Sequence, residues 1–216
     1  MFSNVGRPQC IYLARHGQSL ANMNKQISGQ LDSRLSPKGL LQAQWLKEVL
    51  LDETVTAVFC SSLNRAIETA RPTAESRGLP IQIKADLREI YLGDLQGRKV
   101  SETNEQTNRL WQNKSLNNGA GAIADGETFQ AFQYRVCKCL AELLENFTGT
   151  ALIVAHRNTN KLILNSLLTV ETKLHPAINV KNKYVYEITL GDTPLVNTIR
   201  LGGERHGQKY SGLKYD

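Results

Sequence analysis

The run Ala151-Leu152-Ile153-Val154-Ala155 limits the architecture more than any other stretch of this chain. Five consecutive apolar residues, closed by the polar pair His156-Arg157, fit a short strand buried on both faces. Such a strand needs a helical layer above and below it and parallel neighbours beside it. Residues 128–146, just before it, carry Phe129, Phe132, Val136, Leu140, Leu143 and Leu144 on one side of a helical pattern. Residues 158–168, just after it, return to a helix. Residues 10–15, 56–60 and 81–84 read as further strands, with helices expected over 35–51 and 63–77. Ser36-Pro37 gives the first of these an N-cap followed by a first-position proline. Leu40, Leu41, Ala43, Trp45, Leu46, Val49 and Leu50 form its expected apolar stripe. Gly78 stops the second helix, which contains Pro72.

Residues 184–190 and 195–201 read as a closing hairpin around Gly191-Asp192, and the polar tail beyond Gly202 as loose. The expected fold class is therefore α/β: a three-layer α/β/α sandwich around a mostly parallel sheet. No linker interrupts it, so residues 1–216 read as a single domain. Residues 98–127, rich in Asn, Gln, Gly and Ser, form a lid-like insertion, helical around residues 109–111.

Composition removes several classes of function. The charge of +6 favours anionic partners, but the basic residues are scattered and aromatics are only 6%, which argues against nucleic acid. No apolar run approaches the length of a membrane span, and residues 1–15 do not resemble a signal peptide, so the cytosol is expected. Cys10, Cys60, Cys137 and Cys139 contain no C-x-x-C pair and sit in apolar settings, so they read as reduced thiols rather than zinc ligands.

Four polar clusters remain, each just past the carboxyl end of an expected strand, where ligands bind in open α/β sheets. Arg15-His16-Gly17 offers an imidazole, an anion-binding guanidinium and a glycine for a sharp turn; a plain surface turn is also compatible with it. His156 stands before a helix, as an anion ligand or as a capping residue. Arg65, after Ser61-Ser62-Leu63-Asn64, is a cation in a first helical turn, which a bound anion would reconcile with the helix dipole. Glu89, in Leu87-Arg88-Glu89-Ile90-Tyr91-Leu92-Gly93, is a carboxyl group that a nearby phosphate would keep protonated. Two histidines, two arginines and one acid suit phosphoryl transfer: cations on the equatorial oxygens, an in-line nucleophile and a proton donor. No aspartate cluster for Mg²⁺ is apparent, so no metal is expected.

Taken in order, these motifs resemble the histidine phosphatase superfamily, also called the phosphoglycerate mutase-like fold. The resemblance runs from about Cys10 to Leu201. It is carried by Arg15-His16-Gly17, Ser28-Gly29 through Leu35-Ser36-Pro37-Lys38-Gly39, Ser61-Ser62-Leu63-Asn64-Arg65-Ala66-Ile67-Glu68-Thr69-Ala70, Leu87-Arg88-Glu89, and Val154-Ala155-His156. It implies that His16 is the nucleophile and forms a phosphohistidine. It implies that Arg15, Arg65 and His156 bind the phosphoryl group and that Glu89 donates the proton. Asn22, Ser28 and Gly29 match positions lining the same pocket; for Asn22 and Ser28, loop capping is the alternative. No cofactor is implied, and the partner is a small phosphorylated metabolite.

Two departures bear on activity. Arg157 stands where the family commonly has glycine. It either lines the pocket mouth and holds a second anionic group, or reaches solvent or an acid such as Glu127. Ile90 stands where the mutase branch has an arginine for the substrate carboxylate, and 98–127 lacks that branch's arginine pair. Both favour a phosphatase over a phosphoglycerate mutase; a non-catalytic phosphate-binding module of the same fold is the remaining alternative.

Overall fold

A computed structural model describes residues 8–103, 125–168 and 180–214. The strand expected at 151–155 is β4 (Gly149–Ala155), and it lies in the middle of a seven-stranded sheet. The other strands are β1 (Pro8–Arg15), β2 (Ala57–Cys60), β3 (Ile81–Ile83), β5 (Tyr184–Thr189), β6 (Leu195–Arg200) and β7 (Lys209–Ser211). Their order is β3-β2-β4-β1-β5-β6-β7. The first four are mutually parallel, and β5, β6 and β7 extend the sheet antiparallel.

Strand residues alternate between two cores, as a period of two requires. Ile11, Leu13, Ala57, Phe59, Ala151, Ile153 and Ala155 pack toward α4 (Phe129–Asn146) and α5 (Arg157–Leu168). Tyr12, Ala14, Val58, Cys60, Leu152 and Val154 pack toward α2 (Pro37–Val49) and α3 (Asn64–Glu75). The result is the expected three-layer sandwich with a parallel core. Its strongest local signal, the doubly apolar β4, is doubly buried because each face meets a helical layer. A fully buried leucine or isoleucine there contributes about 1.5–3 kcal/mol.

The expected stripe of α2 is partly wrong. Leu40 and Leu41 are 52% and 55% exposed, whereas Gln42 is buried. The cause lies at the helix start. Ser36 caps it by accepting the Gly39 N–H at 3.1 Å, and Gly39 presses against the backbone after β1. A Cβ on Gly39 would stand 2.1 Å from the Gln18 carbonyl oxygen. That contact sets the helix's rotation and turns Gln42 inward, where its Oε1 accepts the Gln18 N–H at 2.8 Å.

The tail beyond Gly202 is not wholly loose, because residues 209–211 add β7 to the sheet. Polar contacts hold it. Lys209 Nζ reaches Glu187 Oε2 at 2.6 Å, and the Gly212 N–H donates to the Val196 carbonyl at 2.9 Å. Also absent from the sequence reading are the one-turn helix α1 (Leu20–Met23) and three short 3₁₀ turns at Ala85–Leu87, Gly93–Leu95 and Val100–Glu102. Pro72 sits inside α3, which continues to Glu75. All four cysteines are free thiols. The helical expectation at 109–111 lies outside the described residues.

Candidate active site

Parallel neighbours β1 and β4 run in register up to the pair Arg15–Ala155, so the residues after them meet. The His16 N–H donates to the Ala155 carbonyl at 3.0 Å, and the His16 and His156 rings lie 5.1 Å apart. Next to β4, β2 ends at Cys60, whose register partner is Val154. Ser61 follows, and its Oγ lies 2.8 Å from His156 Nε2. Arg65 rises from the first turn of α3 and is 1% exposed. Glu89 comes from the loop after β3 and is 8% exposed. The five expected catalytic residues thus share one end of the sheet.

The hydrogen bonds aim these groups. His16 Nδ1 lies 2.7 Å from the Gly17 carbonyl oxygen. A carbonyl only accepts, so this nitrogen carries the proton and the Nε2 lone pair is free. Gly17 is fixed in turn, because its N–H donates to Thr69 Oγ1 at 2.9 Å. Arg65 donates through Nη1 to the Leu31 carbonyl and through Nη2 to the Gly29 carbonyl, both at 2.7 Å. Gly29 adopts φ +48°, a backbone shape that favours glycine. Arg15 Nη1 donates to the Val180 carbonyl at 3.0 Å. Arg15 Nε, Arg65 Nε, His156 Nδ1 and Ser28 Oγ are buried without a protein hydrogen-bond partner. Each such group costs about 1–3 kcal/mol, and three of them belong to His156, beside the His16 ring, and to the two arginines whose charges act on it, which fits a place for a polar ligand.

The electrostatics point to an anion. Burial, reinforced by the Arg65 and Arg15 charges, holds the His16 imidazole well below its ordinary pKa. Burial, Arg65, His16 and Arg15 do the same to His156. Both are therefore neutral at pH 7. Burial also lowers Arg15 to about 10, with Arg157 adding to the effect, and Arg65 to about 10 against the pull of Glu89 and Asp32. Both guanidiniums remain charged at neutral pH. Glu89 accepts the Ile90 N–H on Oε1 at 3.0 Å and the Asn158 N–H on Oε2 at 3.1 Å.

The sequence profile of the histidine phosphatase superfamily (branch 1) matches residues 11–197. The chain belongs to that superfamily. The chain is 33% identical over 163 residues to the adenosylcobalamin/alpha-ribazole phosphatase of Escherichia coli (strain K12), spanning 73% of this chain and 78% of the relative. It is 30% identical over 187 residues to "Probable phosphoglycerate mutase GpmB" of Enterobacter sp. (strain 638), spanning 85% and 86%. Its structure is similar to that of the alpha-ribazole phosphatase of Shigella flexneri, with a TM-score of 0.73, 28% identity, and coverage of 95% and 99%.

The residues expected to line the pocket divide. Gly29 stands beside Arg65 through its carbonyl, and Ser28, its neighbour in the chain, has a buried Oγ without a protein partner. Asn22 Oδ1 accepts the Ser19 N–H at 3.3 Å while Ser19 Oγ accepts the Asn22 N–H at 3.1 Å, a reciprocal cap on α1. Arg157 opens α5, half-buried and close enough to Arg15 to lower its pKa. It is not paired with Glu127, whose carboxylate is taken by Arg135 at 2.7 Å. The sequence reading missed Ser61 as the partner of His156 and missed Arg135. Ser61 lay inside a quoted motif, so its place after β2 could have revealed it. Arg135 left no signal, because its partners are mainly backbone carbonyls.

Proposed function

We propose that this chain is a phosphatase that hydrolyses a small phosphomonoester through a phosphohistidine on His16. One observation carries the reading: Arg15 Nε, Arg65 Nε and His156 Nδ1 are buried without partners around an imidazole whose tautomer frees Nε2. In the proposed reaction, His16 Nε2 attacks phosphorus as the ester P–O bond breaks, and Glu89 gives its proton to the leaving oxygen. Arg15 and Arg65 bring positive charge, and the neutral His156 a hydrogen bond, to the equatorial oxygens, so the step needs no metal or cofactor. Glu89, now a carboxylate, takes a proton from a water that attacks phosphorus. The P–N bond breaks, inorganic phosphate leaves and His16 is restored.

Asn22, Ser28 and Gly29 would line the phosphoryl pocket, and Arg157 its mouth, within one domain. The mutase named among the relatives raises a second reading. Against it, Ile90 is 5% exposed and packed in the α4–α5 core, so no cation stands there for a substrate carboxylate. A panel of phosphorylated metabolites assayed for phosphate release decides between them. Release of inorganic phosphate that is lost in His16→Ala supports the proposal. Transfer between positions of the substrate without release favours the mutase, and binding without either product favours a non-catalytic module.

A further inference from the structure

The reading above needs the Glu89 carboxyl held at the leaving oxygen, yet Glu89 sits in a loop outside the sheet. We propose that Arg135, paired with Glu127, is a positioning residue that fixes Glu89 for proton transfer; this inference rests on that reading. Arg135 comes from α4, across the loop from the sheet. All five of its N–H groups are matched to acceptors. Nη1 donates to the carbonyls of Asp86 at 2.7 Å and Arg88 at 2.8 Å, and Nη2 donates to the carbonyl of Glu89 itself at 2.9 Å. Nε and Nη2 form a two-pronged pair with Glu127 at 2.7 and 2.8 Å. Glu127 then holds the far side of the loop. Its Oε2 accepts the Tyr91 N–H at 3.1 Å, and its N–H donates to the Tyr91 carbonyl at 2.9 Å.

The pair therefore grips the backbone on both sides of Glu89 and at Glu89 itself. Gripping a single turn at four points exceeds what packing α4 on the sheet requires, because α4 is already anchored by Phe132, Val136 and Leu140. A guanidinium is needed: a lysine has three donors at one point and cannot span three carbonyls and a carboxylate. The Phe132 ring, 5.0 Å from the guanidinium carbon, supports it. Arg135 donates its hydrogen bonds to Asp86, Arg88, Glu89 and Glu127 and reaches His156 only as the weakest of the charges that lower its pKa, so its loss should leave phosphoryl binding largely intact and chiefly displace the acid.

The test combines Arg135→Met, Glu127→Gln and Glu89→Gln with two substrates. An alkyl phosphate needs a protonated leaving group, whereas p-nitrophenyl phosphate needs it little. Arg135→Met should cut kcat/KM, which reads transfer of the phosphoryl group to His16, about tenfold to a hundredfold on the alkyl ester and little on p-nitrophenyl phosphate. In a Glu89→Gln background, it should cost nothing further. If Arg135→Met does not fold, Glu127→Gln should show the same pattern more weakly. Amide hydrogen exchange gives a readout free of activity: Ile90 and Tyr91 should exchange faster in either variant, with the centre of α4 protected as before. Equal losses on both substrates, additivity with Glu89→Gln, or unchanged exchange at Ile90 overturns the proposal. If Glu89→Gln alone costs the same on both esters, the acid assignment falls instead, and exchange still reports whether Arg135 holds the loop.

Discussion

Gly39→Ala sets two effects of opposite sign against each other. Gly39 lies inside α2, where replacing glycine by alanine ordinarily stabilises a helix by about 1 kcal/mol. Here the new Cβ would stand 2.1 Å from the Gln18 carbonyl oxygen and 3.0–3.1 Å from the Gln18 carbonyl carbon and nitrogen. All three are backbone atoms, so no side chain can swing aside. Relief to ordinary contact requires the 17–18 segment and the start of α2 to separate by more than an ångström. Overpacking costs about 1–3 kcal/mol, and a backbone clash this close lies in the upper part of that range, at about 2–3 kcal/mol, so after the propensity gain a net loss of about 1–2 kcal/mol remains. For a chain of this size, that lowers Tm by roughly 2–8 °C. The displaced segment includes Gly17, whose carbonyl holds His16 Nδ1 at 2.7 Å. A shift of about 1 Å at a reacting group costs on the order of a hundredfold in kcat/KM. Gly191→Ala is the control, since nothing lies within 4 Å of its Cβ position. Urea melts and p-nitrophenyl phosphate kinetics on both variants read the two effects. If Gly39→Ala is as stable and as active as wild type, the close-approach argument is wrong.

The buried histidines make stability acid-sensitive. Both imidazoles have pKa values depressed by folding, so they add no pH dependence above about 6.5. Below that, the unfolded chain takes up protons that the fold refuses, and stability falls by up to about 1.4 kcal/mol per pH unit for each histidine. His156→Asn should make the fall between pH 6.5 and 5 shallower in urea melts; parallel curves refute this. Arg157→Gly should raise KM for a substrate with a second anionic group and leave p-nitrophenyl phosphate nearly unchanged; equal effects on both would move Arg157 onto the transferred phosphoryl group. Treatment with EDTA should leave turnover unaltered, since Arg15 and Arg65 supply the positive charge; a rate that returns only on adding Mg²⁺ or Zn²⁺ contradicts that assignment.

What could be read from the sequence follows the range of the interactions involved. The doubly apolar β4 declared itself because burial on both faces is written in five adjacent residues. His16 and His156 could be read as partners because each directly follows a strand, and strands of one parallel sheet end together. The rotation of α2 could not be read, because Leu40 and Leu41 yield to a glycine contact with a backbone oxygen. The strand β7 was equally hidden: Lys209 is drawn in by Glu187, a buried acid on a strand two places away. Arg135 was invisible for a related reason, since carbonyl groups leave no trace in composition or spacing.

The account stands or falls on His16 Nε2 accepting a phosphoryl group. Rapid acid-free quenching with ³²P-labelled substrate, followed by peptide mapping, measures this directly. The label should appear on His16 as an acid-labile, base-stable adduct that forms and decays at rates compatible with turnover, and with labelled p-nitrophenyl phosphate it should accumulate in Glu89→Gln, where hydrolysis of the adduct is slowed more than its formation. Steady turnover with no label on His16, or label on another residue of the active His16→Ala variant, would contradict the mechanism.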